Sequence, residues 1–192
     1  MGVGVDVLVV DWARVEAADP GEREELLIDA ALEAEDGRGP DGHGWWWPAH
    51  PDGGWYGGYA FRGTLGSYKP HFWAGHRWDL LRPFLTPEVR GVLDRFTGAL
   101  FRPGPEEPPE QVCPWDADLL LYCPPDRVPA VAGWWRRAAP GMADLREPFE
   151  RHAVDGTGRV GTFEEFAGLL AGWGEVVTEA ERRGWGVVGL RC

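Results

Sequence analysis

Within 36 residues, positions 43–78 hold six tryptophans (Trp45, Trp46, Trp47, Trp55, Trp73, Trp78), three tyrosines, two phenylalanines, four of the five histidines and eight glycines. A segment of this makeup is either the aromatic half of a core or a binding surface. Aromatic rings bury large areas, and each indole also seeks an acceptor for its N–H. The glycines let backbone approach the rings closely or turn sharply between them. Side chains alternate along a strand, so Trp45, Trp46 and Trp47 cannot all enter one core. At least one of them is expected to be exposed or to contact a ligand or partner. Stacking on such rings suits sugars, bases and planar cations. The plainer expectation is that two rings plug the core while the third covers a loop.

The rest of the chain alternates strand and helix signals. Val3 to Trp12 is almost continuously Val and Leu, as in a strand buried on both faces and central in its sheet. Asp6 and Asp11 in that opening argue against a secretory leader. A helix is expected over 22–35, with Leu26, Leu27, Ala30, Ala31 and Ala34 on one side, followed by a long loop over 36–54. Trp55 to Arg62 reads as a strand interrupted by Gly57-Gly58. Residues 75–85 look helical up to Pro83. Thr86-Pro87-Glu88 then opens a further helix, with Val89, Val92, Leu93, Phe96 and Leu100 in its stripe. Residues 102–115 form a Pro-rich acidic loop, and Asp118 to Cys123 a buried strand. Helices are expected near 126–138 and 142–153. Thr162 and Glu165 form a capping box. It opens the best helix of the chain, with Phe166, Leu169, Leu170, Trp173, Val176 and Val177 on one face and Gly184 at its end. Trp185 to Leu190 is a terminal strand, expected beside the first. This pattern predicts one globular domain, 1–192, of the α+β class: a small mixed sheet containing the N- and C-terminal strands, packed by several helices.

Charge narrows the function classes. The formal net charge is −12, distributed as −9 over residues 1–42, +3 over 43–102 and −6 over 103–192. Nucleic-acid binding, which needs a basic field, is not expected. A basic protein partner fits the acidic ends, and an anionic small molecule fits the central segment, which is aromatic and basic together. Mean hydropathy is −0.32, and no apolar run reaches the length of a membrane span. The three cysteines, Cys113, Cys123 and Cys192, are odd in number and lack CxxC spacing, which points to a reducing cytoplasm rather than a disulfide framework.

Chemistry-bearing motifs are sparse. His43, His50, His71 and His76 cluster with Asp52 and Asp79, and His76 and Asp79 would share a helix face. No metal-ligand spacing accompanies them, so no metal and no cofactor are expected. The stretch from Asp155 to Phe166 resembles a calcium loop only faintly, because its alignment places Ala153 at the first ligand position. Ser67 lies outside a nucleophile elbow. Gly63 to Lys69 is Gly-rich but lacks phosphate-loop spacing.

Trp78-Asp79-Leu80-Leu81 with Leu85-Thr86, the opening Met1-Gly2 before a strand, and the closing helix and strand resemble the YfbM-like bacterial proteins of unknown function. Arg82 stands where that family's motif has His. The resemblance covers the two ends and residues 77–100; it implies an α+β fold and no known activity.

Two functions are consistent with these residues. The first is a cytoplasmic binding or interaction protein of immunity or regulatory type, facing a basic protein partner. The second is an enzyme or sensor with an aromatic pocket for a small anionic ligand. That pocket would be lined by Trp45, Trp46, Trp47, Trp55, Tyr56, Tyr59 and Trp73, with Arg62, Lys69 and Arg77 facing the anion. His71 or His76, supported by Asp79, would be its acid or base. The pocket predicts that these rings and His76 surround one concavity.

Overall fold

The computed structural model describes residues 3–36, 43–49, 54–100, 115, 118–154 and 159–192. Its frame is a five-stranded sheet in the order β2-β3-β1-β5-β4. The strands are β1 (Val5–Val10), β2 (Gly44–Trp46), β3 (Tyr56–Ala60), β4 (Leu119–Cys123) and β5 (Gly186–Arg191). Every pairing is antiparallel, so the described strands include no parallel pair. The chain is α+β, with its first and last strands paired at the centre, Val5 opposite Arg191 and Val10 opposite Gly186.

β1 is central because helices cover both of its faces, which its unbroken Val/Leu run allows. Val5, Val7 and Val9 point into one core, and Leu8 and Val10 into the other. The larger core lies under α3 (Lys69–Leu81), α4 (Pro87–Leu100), α5 (Val128–Ala138), α6 (Arg146–His152) and α7 (Phe163–Arg183). The smaller one lies under α1 (Trp12–Ala17) and α2 (Arg23–Asp36), with Trp115 added.

α7 packs on the sheet through Phe166, Leu170, Trp173 and Val177, all buried and spaced by three or four residues. Its capping box is complete: the Glu165 N–H donates to Thr162 Oγ1, and Glu165 Oε2 accepts from the Thr162 N–H. Gly184 ends it at φ 71°, a left-handed position that glycine takes without steric cost. On the opposite face Asp11 caps α1, accepting from the Ala13 and Arg14 N–H groups.

Three local expectations change. The 36–54 loop contains a strand, because Trp45 and Trp46 pair with Tyr59 and Gly58. α3 begins at Lys69 rather than 75; Pro70 lies in its first turn, where a missing N–H costs nothing. α6 is shorter than expected, because residues 139–145 form a 3₁₀ stretch before it. In β4, Leu119 faces Leu190 and Leu121 faces Gly189, leaving Leu120 as an inserted residue. This bulge turns both Leu120 and Leu121 toward the larger core. Among the described residues, no helix is long and apolar enough to cross a membrane.

Candidate functional site

The pleat decides where the aromatic segment goes. Trp45, Trp47 and Tyr59 lie on the face with the five helices, and Trp46, Trp55 and Tyr56 on the face with α2. Trp45 and Trp47 stack with centroids 5.1 Å apart. Trp47 lies against Gly57, where any Cβ would overlap its ring, and the Arg183 guanidinium carbon is 3.8 Å from the centre of that ring. Tyr59 donates to Glu175 Oε2 at 3.0 Å. On the other face Trp55 meets the Tyr56 ring edge-on at 4.7 Å, and Tyr56 donates to Glu33. Burial and the neighbouring carboxylates raise both phenols well above the usual tyrosine range. The sheet therefore divides the expected concavity. What remains beside Asp6, His43, Trp45, Trp46 and Tyr59 is a hollow of about 20 Å³, room for one water.

The candidate acids and bases also separate. His71 is inside the core, edge-on to Phe61, and its Nδ1 accepts from Trp173 Nε1 at 3.2 Å. Burial lowers its imidazole to about 4, so the ring is neutral. His76 lies on the outer face of α3 against the Trp73 ring, and Asp79 is exposed beside it, 3.9 Å from Arg82. His71 thus points inward while His76 and Asp79 point outward. His43 takes its contact from Arg62 Nη2 at 2.7 Å. His50 and Asp52 lie outside the described residues, as do Asp155 to Gly158 of the calcium-loop stretch. Arg77 is buried and donates through Nε to the Val160 carbonyl at 3.0 Å, and its guanidinium carbon is 5.7 Å from the centre of the Trp73 ring. Lys69 is exposed in the first turn of α3. Among the described residues, no three His, Cys, Asp or Glu side chains are grouped to hold a metal ion.

A larger concavity, about 730 Å³, opens at the start of α7. One wall is the turn Arg62-Gly63-Thr64 after β3, with Pro70. The other is Arg159 to Thr162, followed by Glu164, Glu165, Gly168 and Leu169. Burial of Val160 fixes the second wall. This non-glycine residue is held at φ 62°, and Arg77 takes its carbonyl. The carboxylates of the wall are engaged. Glu165 accepts from the Gly161 and Thr162 N–H groups, and Glu164 accepts from Arg146, which lowers its pKa. Arg62 and Arg159 are exposed, one in each wall, and the positive end of the 21-residue helix lies in the second wall. Leu169, Val160 and Pro70 supply apolar wall. Both lining hydroxyls are hydrogen-bonded: Thr64 donates to the Phe61 carbonyl and Thr162 accepts from the Glu165 N–H. The arrangement is suited to holding a molecule with an apolar body and an acidic group.

Of the ligand residues expected from sequence, only Arg62 lines this concavity. Thr64, Arg159 and Leu169 are additions. Thr64 lies in the Gly-rich turn read above for phosphate, Arg159 in the stretch before the capping box read for calcium, and Leu169 in the apolar stripe of the last helix. No protein-family model, curated protein or solved structure matches this chain.

Proposed function

We propose that this chain is a binding protein whose concavity at the start of α7 takes a small molecule with an apolar body and a carboxylate or phosphate group. One observation carries the reading: a hollow of about 730 Å³ lies in the size range of small-molecule sites, with an exposed arginine in each wall and a long helix starting in one of them. The test is a thermal-shift screen of aromatic and aliphatic carboxylates and phosphates, repeated on Arg62→Ala/Arg159→Ala. A binder at about 100 times its Kd stabilises the native state by about 2.7 kcal/mol. That gain is expected in the parent and lost in the double variant. An unshifted melting temperature across the screen, or a shift the double variant retains, refutes the reading.

A companion reading keeps the expectation of a basic protein partner, with the protein acting in the cytoplasm. It is supported by residues 19–33, which hold six acids and one base on the layer that covers the smaller core. Mixing with basic and acidic test proteins at low and high salt checks it. Salt-sensitive association with the basic proteins alone is the expected outcome.

A further inference from the structure

α2 has apolar residues on both sides. Leu27, Ala30 and Ala31 face the sheet and meet Leu8, Val10, Val188 and Leu190. On the outer side, Ile28 and Leu32 stand one turn apart, 45% and 57% exposed. Glu25, Asp29 and Glu33 flank them at i,i+4 spacing, an arrangement of like charges that destabilises a helix by a few tenths of a kcal/mol per pair. Arg23, the one base among residues 19–33, folds back to donate to the Ala18 and Glu16 carbonyls at 3.2 and 2.9 Å. Its charge is thus directed at the end of α1 and away from the outer face. Glu24 accepts from the Asp118 N–H and Glu33 from Tyr56. Glu25 and Asp29 make no ion pair with another described residue.

We infer that this face of α2 is a docking surface for a basic amphipathic helix of another protein, a proposal that rests on the interaction reading above and is independent of the concavity. Two aliphatic side chains one turn apart match the i,i+4 anchors by which helices pair. Lys or Arg flanking those anchors would meet Glu25 and Asp29 and relieve the repulsion along α2. The same charges disfavour the other occupants. An anionic membrane surface is repelled, and a second copy would bring a second acidic face.

The test is fluorescence anisotropy of the full chain with two labelled peptides of identical Leu/Lys composition. One has its leucines on a single helical stripe; the other has them scattered. The striped peptide is expected to bind at least about tenfold tighter than the scattered one, and to weaken as salt rises. Ile28→Gln/Leu32→Gln and Glu25→Lys/Asp29→Lys are each expected to weaken it about tenfold or more. All of these positions are exposed, and an unchanged melting temperature confirms that the variants fold. Striped-peptide binding that neither variant weakens overturns the placement on α2 while the basic-partner reading stands. No binding by either peptide overturns both. Equal binding of the two peptides overturns the apolar anchor. A dimer in sedimentation that Ile28→Gln/Leu32→Gln abolishes assigns the face to a second copy and overturns the proposal.

Discussion

The two faces of the sheet are covered in different ways. On one, five helices bring large rings and branched chains against Val5, Val7, Val9 and Val187: Trp78, Phe96, Phe149, Phe166 and Trp173 are all buried there. On the other, α1 and a single long helix press Leu27, Ala30 and Ala31 onto Leu8, Val10, Val188 and Leu190, and Trp12, Tyr56 and Trp115 fill the margin. The thick side derives its stability from interlocking volume. The thin side depends on short alanine side chains that let α2 approach the sheet. A thin layer leaves its outer surface available for other uses, and α2's outer surface is acidic with two aliphatic groups. Both sides share one device. Trp47 on the thick side rests on Gly57, and Trp12 on the thin side rests on Gly186. Tryptophan and glycine are abundant together in this chain partly because indoles lie against bare backbone.

If that contrast is right, truncation should cost most on the thick side. Trp173→Ala removes a fully buried ring and takes away the donor facing His71. The expected loss is about 3–5 kcal/mol by urea denaturation. Leu27→Ala on the thin side is expected near 2 kcal/mol, the low end for a buried leucine, because a single covering helix can settle into the gap. Equal losses at the two sites would remove the distinction.

The thick side also carries an acid-sensitive group. His71 has an ordinary value of 6.5 and is held at about 4 in the fold by burial. Its contribution is present in full above pH 6.5. As pH falls from 6.5 the unfolded chain takes up the proton first, and by about pH 4 the contribution is gone. The loss is roughly 3 kcal/mol over that window. The measurement is stability against pH for the parent and for His71→Gln. The difference in slope between pH 6.5 and 4 isolates the imidazole, and parallel curves would show that the ring is reached by solvent.

How much of this was legible depends on the range of the interaction. β1 and α7 could be read because each carries its own period, unbroken for a doubly covered strand and spaced by three and four for a helix. The capping box at Thr162 and the stop at Gly184 are local and were equally readable. β2 was hidden in a Gly- and Pro-rich stretch, because a three-residue strand exists only through its pairing with β3. The start of α3 was obscured by Pro70, a residue tolerated in a first turn but also found in loops. The concavity was out of reach altogether. Its two arginines lie far apart in the chain, and only the packing of Val160 beside the turn after β3 brings them to one opening. The aromatic segment showed the converse limit. Its composition looked like one pocket, and the pleat sent alternate rings to opposite faces.

Gly57→Ala probes the indole-on-backbone device directly. The added methyl would overlap the Trp47 ring, and that ring is hemmed by Trp45 and Arg183. The expected loss is about 1–3 kcal/mol, the cost of overpacking, with a changed tryptophan emission. Gly98→Ala, at a helical position where a Cβ meets nothing within 4 Å, is the control. It is expected to be neutral or mildly stabilising. Equal responses at the two glycines would mean that Trp47 can move aside.

A smaller effect separates the two helix starts. Thr162→Ala removes the acceptor for the Glu165 N–H at the head of α7, and Asp11→Ala removes the acceptor for two N–H groups at the head of α1. Each is expected to cost about 1 kcal/mol. They differ in where the cost appears. Losing the Thr162 cap should also raise hydrogen exchange in the first turn of α7, beside Arg159, and weaken any ligand found for the concavity. Asp11→Ala should leave that affinity unchanged.

The smallest expected effect lies on the outer side of the thin layer. Ile28→Gln/Leu32→Gln alters the outer side of α2 and leaves Leu27, Ala30 and Ala31 in place. If the thin layer is held only through its inner side, the double substitution should change stability by less than about 0.5 kcal/mol. Glutamine matches leucine in helix propensity and slightly exceeds isoleucine, so the backbone term is at most a few tenths of a kcal/mol. A near-zero result would mean that two aliphatic side chains occupy the surface of an acidic helix without contributing to the fold, the condition under which a role in binding accounts for them. A loss of about 2 kcal/mol or more would instead show that Ile28 and Leu32 are covered in solution by part of the same chain. The outer face of α2 would then be a third packing layer, and the sheet's two sides would differ only in thickness.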